Sequence, residues 1–254
     1  MAEELTLGKL KVGSRLKFGR YTAGIGTEPQ PIMWLKASPK CDFITEYAVD
    51  QLCYDAGECR QGERYSTSHN EYELSNINQF LNSENDSWFH PTHQYDNPPR
   101  YHEHPGFLYN FDPSELDVLE KKELECGISV RVALPTENDI VFQGLPLFKK
   151  RGLRAHPSSD LMLTRLTFMS QTQFLNVGTR TPHRSREGCF YIVDYGGYEG
   201  SCSSMSAPGI RPMCFPNPNT PCVMVDDGIY EIIPRDTKDV FMDSNDLLSM
   251  LGLV

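Results

Sequence analysis

Residues 189–206 read Cys-Phe-Tyr-Ile-Val-Asp-Tyr-Gly-Gly-Tyr-Glu-Gly-Ser-Cys-Ser-Ser-Met-Ser. The aromatic and β-branched run Phe190-Tyr-Ile-Val193 predicts a strand. Gly196-Gly197 is a hairpin-turn dipeptide, so a second arm returns through Glu199 to Ser203. Tyr191, Tyr195 and Tyr198 stand among Ser and Gly, a mixture that suits a binding loop. Tyrosine offers rigid amphipathic contact at low entropic cost, while Ser and Gly adapt to what they touch. The candidate ligand-binding residues are therefore Tyr191, Asp194, Tyr195, Tyr198 and Glu199.

Working outward, the hairpin is framed by two arginines. Arg180 precedes Thr181-Pro182, and Arg211 stands between Gly209-Ile210 and Pro212. Each guanidinium is directed by a restricted backbone, and each is expected to pair with a carboxylate and lock the hairpin onto the core. Further strands are expected around Leu16 and Phe18, at Ile32-Met-Trp34-Leu35, from Ile128 to Leu134, at Met213-Cys-Phe-Pro216 and at Ile229-Tyr-Glu-Ile-Ile233. The stretch from Phe43 to Cys53 fits a strand followed by a helical turn.

Helical signals are fewer. Ser75 is an N-cap before Ile77, Phe80 and Leu81, which share one face. Asp112-Pro113-Ser-Glu115 carries a cap, a proline at the first helical position and a capping-box glutamate. Leu116, Leu119 and Leu124 extend that apolar face, and Gly127 is expected to end the helix. Thr136-Glu-Asn-Asp139 and Asp243-Ser-Asn-Asp246 resemble two more helix starts. The segment 85–109, rich in His, Pro, Tyr and Asn, reads as a long loop. The class expected from these signals is α+β, with twisted antiparallel sheets and two or three short helices.

Composition limits the function. The chain has 254 residues and a net charge of -10, which disfavours a nucleic-acid partner because phosphate binding needs a basic face. The basic run at Lys149, Lys150, Arg151 and Arg154 is too short to change this. The first residues lack the basic and apolar parts of a signal peptide, and no apolar run approaches the ~20 residues of a bilayer span. A soluble protein of the cytosol, not inserted in a membrane, is expected. Its 8 cysteines contain no CxxC pair, so free thiols are expected rather than disulfides.

Three constellations bear on chemistry. His90, His93, His102 and His104 share one loop with Asp96 and Glu103, a set able in principle to hold a zinc-like ion. The proline-broken spacing favours an exposed polar loop instead, so no metal is expected. Cys189, Cys202 and Cys214 lie near His183 in sequence, yet no nucleophile signature surrounds them, and buried thiols are the expectation. Gly24-Ile-Gly26 is not followed by a helix, so it forms neither a dinucleotide fingerprint nor a P-loop. No catalytic residues are assigned and no cofactor is expected.

The order of motifs carries a resemblance. A Trp strand (Ile32-Met-Trp34-Leu35) is followed by Ser75-Asn-Ile-Asn-Gln-Phe-Leu-Asn82, a helix start from Phe111 to Leu119 and Leu134-Pro-Thr-Glu-Asn138. Then come Phe174-Leu-Asn-Val-Gly-Thr-Arg-Thr-Pro182 and Gly209-Ile-Arg-Pro212. This resembles a domain of unknown function common in gut bacteria and their phages, with a C-type-lectin-like, formylglycine-generating-enzyme-like fold. The resemblance spans about residues 7 to 217. It departs where a tryptophan-rich strand would precede the Arg180 element, here Phe174-Leu-Asn-Val177, and no cysteine pair falls on the enzyme's catalytic positions.

What the resemblance implies is a domain over 1–222 with the loop 85–109 inserted, and a C-terminal extension over 223–254. The function implied is a non-enzymatic phage virion structural protein of the tail, baseplate or head appendage, with a lectin-like module for receptor binding. Its partners would be other virion proteins and a host cell-surface glycan or protein, in an oligomeric assembly formed in the host cytoplasm. The alternatives are a formylglycine-generating or metal-dependent enzyme, and a capsid decoration or assembly protein without a ligand.

Overall fold

The computed structural model describes residues 5–22, 28–59, 70–136, 139, 177–193 and 199–233. Among the described residues strands account for 35% and helices for 11%, so the architecture is largely β rather than the expected α+β. The α-helices among the described residues are two, α1 (Asn76–Leu81) and α2 (Pro113–Val118).

The main correction lies after α2. Its start is as expected: Pro113 occupies the first turn, and the Asp112 N–H donates to Glu115 Oε2 at 2.9 Å. The helix stops at Val118, nine residues short of Gly127. Leu119 is extended and bridges Pro216, and the Glu120 N–H donates to the Phe215 carbonyl at 2.9 Å. Leu124 then belongs to a small hairpin of β5 (Lys122–Glu123) and β6 (Ser129–Val130), where Gly127 takes the left-handed turn position at φ 84°. Backbone pairing with residues about 95 positions away has overridden a local 3.6-residue periodicity.

The larger sheet orders its strands as β13 (Cys222–Asp226), β14 (Ile229–Ile232), β1 (Arg15–Tyr21), β2 (Gln30–Lys36), β3 (Phe43–Thr45), β12 (Met213–Cys214) and β7 (Val132–Ala133). Neighbours run antiparallel except β1 and β14, whose parallel pairing puts residues from both ends of the described chain in one sheet. The second sheet orders β10 (Glu199–Ser203), β9 (Cys189–Val193), β8 (Val177–Pro182), β11 (Gly209–Ile210) and β4 (Asp50–Gln51). Where a helical turn was expected before Cys53, β4 forms an edge of this sheet. The single strand expected from Ile128 to Leu134 is divided between β6 and β7, which pair in different sheets. At the break, the Arg131 and Val132 N–H groups both donate to Asn82 Oδ1.

Aromatic rings join these parts. Trp34 is fully buried, and its indole N–H donates to the Phe18 carbonyl at 2.7 Å. Phe80 of α1 lies against Tyr21, Trp88, Tyr101 and Phe107, with ring centroids 5.3–6.3 Å apart. The face of Ile77, Phe80 and Leu81 is buried as the sequence predicts, and Ser75 caps the helix by accepting from the Asn78 N–H. Lys36, 1% exposed, donates Nζ to the carbonyls of Leu7 and Gly8, both at 2.8 Å, and burial lowers its pKa below the ordinary lysine value.

Burial pushes the phenols of Tyr54, Tyr72 and Tyr101 well above their ordinary value of 10. A raised acid pKa means the folded state retains its protons longer than the unfolded chain. The stabilisation is complete below the unfolded value and is lost as pH rises above it. Thermal unfolding midpoints are therefore expected to fall above about pH 10. The phenolate absorbance of these three residues should appear only together with loss of the far-ultraviolet β signal.

Candidate functional site

Both predicted anchors are buried at the hairpin's base. Arg180 projects from β8 and donates Nε and Nη2 to Glu125 at 3.1–3.3 Å. Its Nη1 donates to the Leu134 carbonyl and lies 3.6 Å from Asp139 Oδ2. Arg211 instead donates Nε and Nη2 to the backbone carbonyl of Thr45, joining the segment after β11 to the end of β3. The first anchor has its carboxylates, and the second clamps a carbonyl. Arginine suits both because its donors form a rigid planar fork.

Between them, β9 and β10 are antiparallel, with Val193 opposite Glu199 and Cys189 opposite Ser203. Phe190 stacks on Tyr54 at 4.6 Å, which fixes the inner face of the hairpin. On the other face the half-buried Tyr191 stacks on His183 at 4.9 Å, and Arg186 donates to Ser201 Oγ at 3.2 Å. Of the candidate binding residues, Tyr191 and Glu199 lie on the arms. Asp194, Tyr195 and Tyr198 lie outside the described residues.

The histidine loop does not act as one cluster. His102 Nδ1 contacts the Pro99 carbonyl at 2.8 Å, and His90 offers its backbone N–H to Gln79. His104 is buried, and its carbonyl accepts from the Trp88 indole. His93 alone meets Asp96, and both meet Glu58, a residue remote in sequence.

The inner side of this loop forms one wall of an open groove of about 630 Å3. Gln51, Cys53 and Asp55 line one side, Arg100 and His104 the other, with Met205 nearby. The walls are tied together. Tyr101 donates its hydroxyl to the Cys53 carbonyl at 2.9 Å and stacks on Trp88 at 5.3 Å. Asp55 Oδ1 accepts from the Asn76 N–H, and Asn76 Oδ1 accepts from the Ala56 N–H. The result is a groove of mixed polar and apolar lining on a stiff support, with the Gln51 amide and the Arg100 guanidinium on its walls. Sequence reading missed it because residues 51–57, 98–104 and 205–207 meet only through folding.

The cysteines are all free thiols. Desolvation pushes Cys53, beside the groove, up to about 12, and Cys41 and Cys222 up to about 11. Burial also raises Cys214, fully buried, well above its ordinary value. Such thiols carry little thiolate at neutral pH. The link between His183 and Cys189 is a backbone one, the His183 N–H donating to the Cys189 carbonyl.

Comparison with protein-family models, with curated proteins and with solved structures finds no match for this chain.

Proposed function

We infer that this chain is a non-enzymatic virion structural protein of a phage, a component of a tail, baseplate or head appendage, that binds a host-surface glycan. The supporting observation is the groove. It is open, rigidly backed, and lined by Gln51 and Arg100, whose amide and guanidinium suit a hydroxyl-rich ligand. The order of sequence motifs supports the virion setting, and the β9–β10 arms beside Arg186, Ser201 and Tyr191 supply a further polar and aromatic face.

The test has two parts. The chain is expected to co-purify with assembled particles, as measured by mass spectrometry of gradient-purified virions. Host-glycan binding by the purified protein is expected to weaken by about tenfold in Arg100→Ala and in Gln51→Ala, at unchanged incorporation into particles. Particles that lack the chain would remove the virion reading. Binding unaffected by both substitutions would remove the groove.

A further inference from the structure

The geometry points to a subsite for the anionic group of an acidic glycan, a uronate carboxylate or a sulfate, beside His183, Arg186, Tyr191 and Ser201. The inference rests on the glycan-binding reading and adds to it the charge of the sugar. Tyr191 of β9 stands directly opposite Ser201 of β10, so the two side chains share the sheet face opposite to that of Phe190. His183, in the connection from β8 to β9, stacks on the Tyr191 ring at 4.9 Å. Arg186, from the same connection, reaches over to β10 and donates Nη1 to Ser201 Oγ at 3.2 Å. Arg184, between the two in sequence, is exposed.

What these groups share is the ability to donate. His183 Nδ1 accepts from the Ser185 N–H at 3.2 Å, which puts the ring proton on Nε2. Ser201 Oγ accepts from Arg186, so its own proton is left to donate elsewhere. Tyr191 adds a phenol. Arg186 uses Nη1 on Ser201 and keeps its Nε–Nη2 edge, which suits two parallel bonds to a carboxylate or sulfate. The charge is unusual for its surroundings. In a chain of net charge -10, Arg184 and Arg186 form no ion pair among the described residues. The acids nearest in sequence are Glu187, which is exposed and pairs with neither arginine, and Glu199, two residues along β10 from Ser201. Two exposed cations beside a cluster of donors complement an anion better than a neutral sugar.

The support is held in place before any ligand arrives. The His183 N–H donates to the Cys189 carbonyl at 2.9 Å, and the Ser204 N–H and hydroxyl both donate to the Gly188 carbonyl at 2.8 Å. The connection carrying His183 and Arg186 is thereby tied to β9 and to the end of β10, which leaves little ordering to be done on binding.

The full-length protein is titrated by calorimetry with a galacturonate trisaccharide, a sulfated trisaccharide and neutral maltotriose, at low and at physiological salt. At least one acidic probe is expected to bind about tenfold more tightly than maltotriose, with the difference shrinking as salt rises. The tighter acidic probe identifies the anion. Its affinity is expected to fall by about tenfold in Arg186→Ala, by less in Arg186→Lys, which keeps the charge without the fork, and by less in Arg184→Ala. Lys11→Ala, at an exposed lysine before β1, is expected to change nothing. Circular dichroism checks that each variant folds. The inference is overturned if neither acidic probe outbinds maltotriose, if Arg186→Ala and Arg184→Ala both keep full affinity, or if Lys11→Ala loses as much as Arg186→Ala. Arg100→Ala separates the subsite from the groove: loss there with Arg186→Ala silent removes the subsite and keeps the groove, and the reverse keeps the subsite and removes the groove.

Discussion

Alanine at position 19 is expected to lower the unfolding free energy by about 3 kcal/mol, a large share of a domain's total stability. Gly19 lies in β1 at φ 66°, within an irregularity of the β1–β2 register between Lys17 and Arg20. A left-handed conformation costs a non-glycine residue about 1 kcal/mol. The added Cβ would also lie 2.3 Å from two ring atoms of Phe111. That ring is held edge-on against Phe18 at 5.5 Å and near Phe107 at 5.7 Å, so it has little freedom to retreat. Overpacking of this kind costs about 1–3 kcal/mol. Urea unfolding should show a lower midpoint with an unchanged slope. In a double-mutant cycle with Phe111→Leu, at least about 1 kcal/mol of the loss should be recovered, because the smaller side chain relieves the overlap. A Gly19→Ala protein within about 0.5 kcal/mol of the parent would contradict the close approach.

The second large effect is expected at Phe80. Removing its ring to give alanine should cost about 4 kcal/mol, the scale of large-to-small changes in a packed core. Phe80 is fully buried and touches four other aromatic rings from three separate parts of the chain. Two of its neighbours, Trp88 and Tyr101, hold the groove wall, so the cavity would also loosen that wall. Phe80→Leu should cost about half as much because less volume is lost. Tyr109→Ala, at a side chain 48% exposed, should stay within about 0.5 kcal/mol. Denaturant titration of the three variants measures the series. Hydrogen exchange in residues 98–104 should rise in Phe80→Ala and not in Tyr109→Ala.

Much of the local structure was legible in the residues. Ser75 and the Asp112–Glu115 pair mark the two helix starts because a cap is a local hydrogen-bonding problem with few solutions. The antiparallel pairing of β9 with β10 was legible in their two strand-like runs, and Asp226-Asp-Gly228 supplies the β13–β14 turn, with Gly228 at φ 69°. The end of α2 was not legible. Leu116, Leu119 and Leu124 keep a helical spacing, but their burial is shared among a helix, a bridge to Pro216 and a small hairpin. Periodicity records which side chains seek burial, and it does not record which distant backbone offers hydrogen bonds. The α+β expectation fails for that reason.

The candidate site divides in the same way. The histidines of residues 90–104 were visible as a group, but spacing alone could not separate His93, which meets Asp96 and Glu58, from His104, which faces the groove. Their separation depends on the bridge between Glu58 and Asp96, a contact across 38 positions.

By itself, the sequence determined the helix caps, the turn at Asp227-Gly228 and the apolar runs, since each depends on residues within a few positions of one another, whereas Arg180 and Arg211 found their partners at Glu125 and Thr45, far along the chain. The tertiary structure alone decided the β class, the groove and the Glu58–His93–Asp96 grouping. These depend on long-range strand pairing, and the hydrogen bonds that select among pairings belong to a backbone common to every residue type except proline.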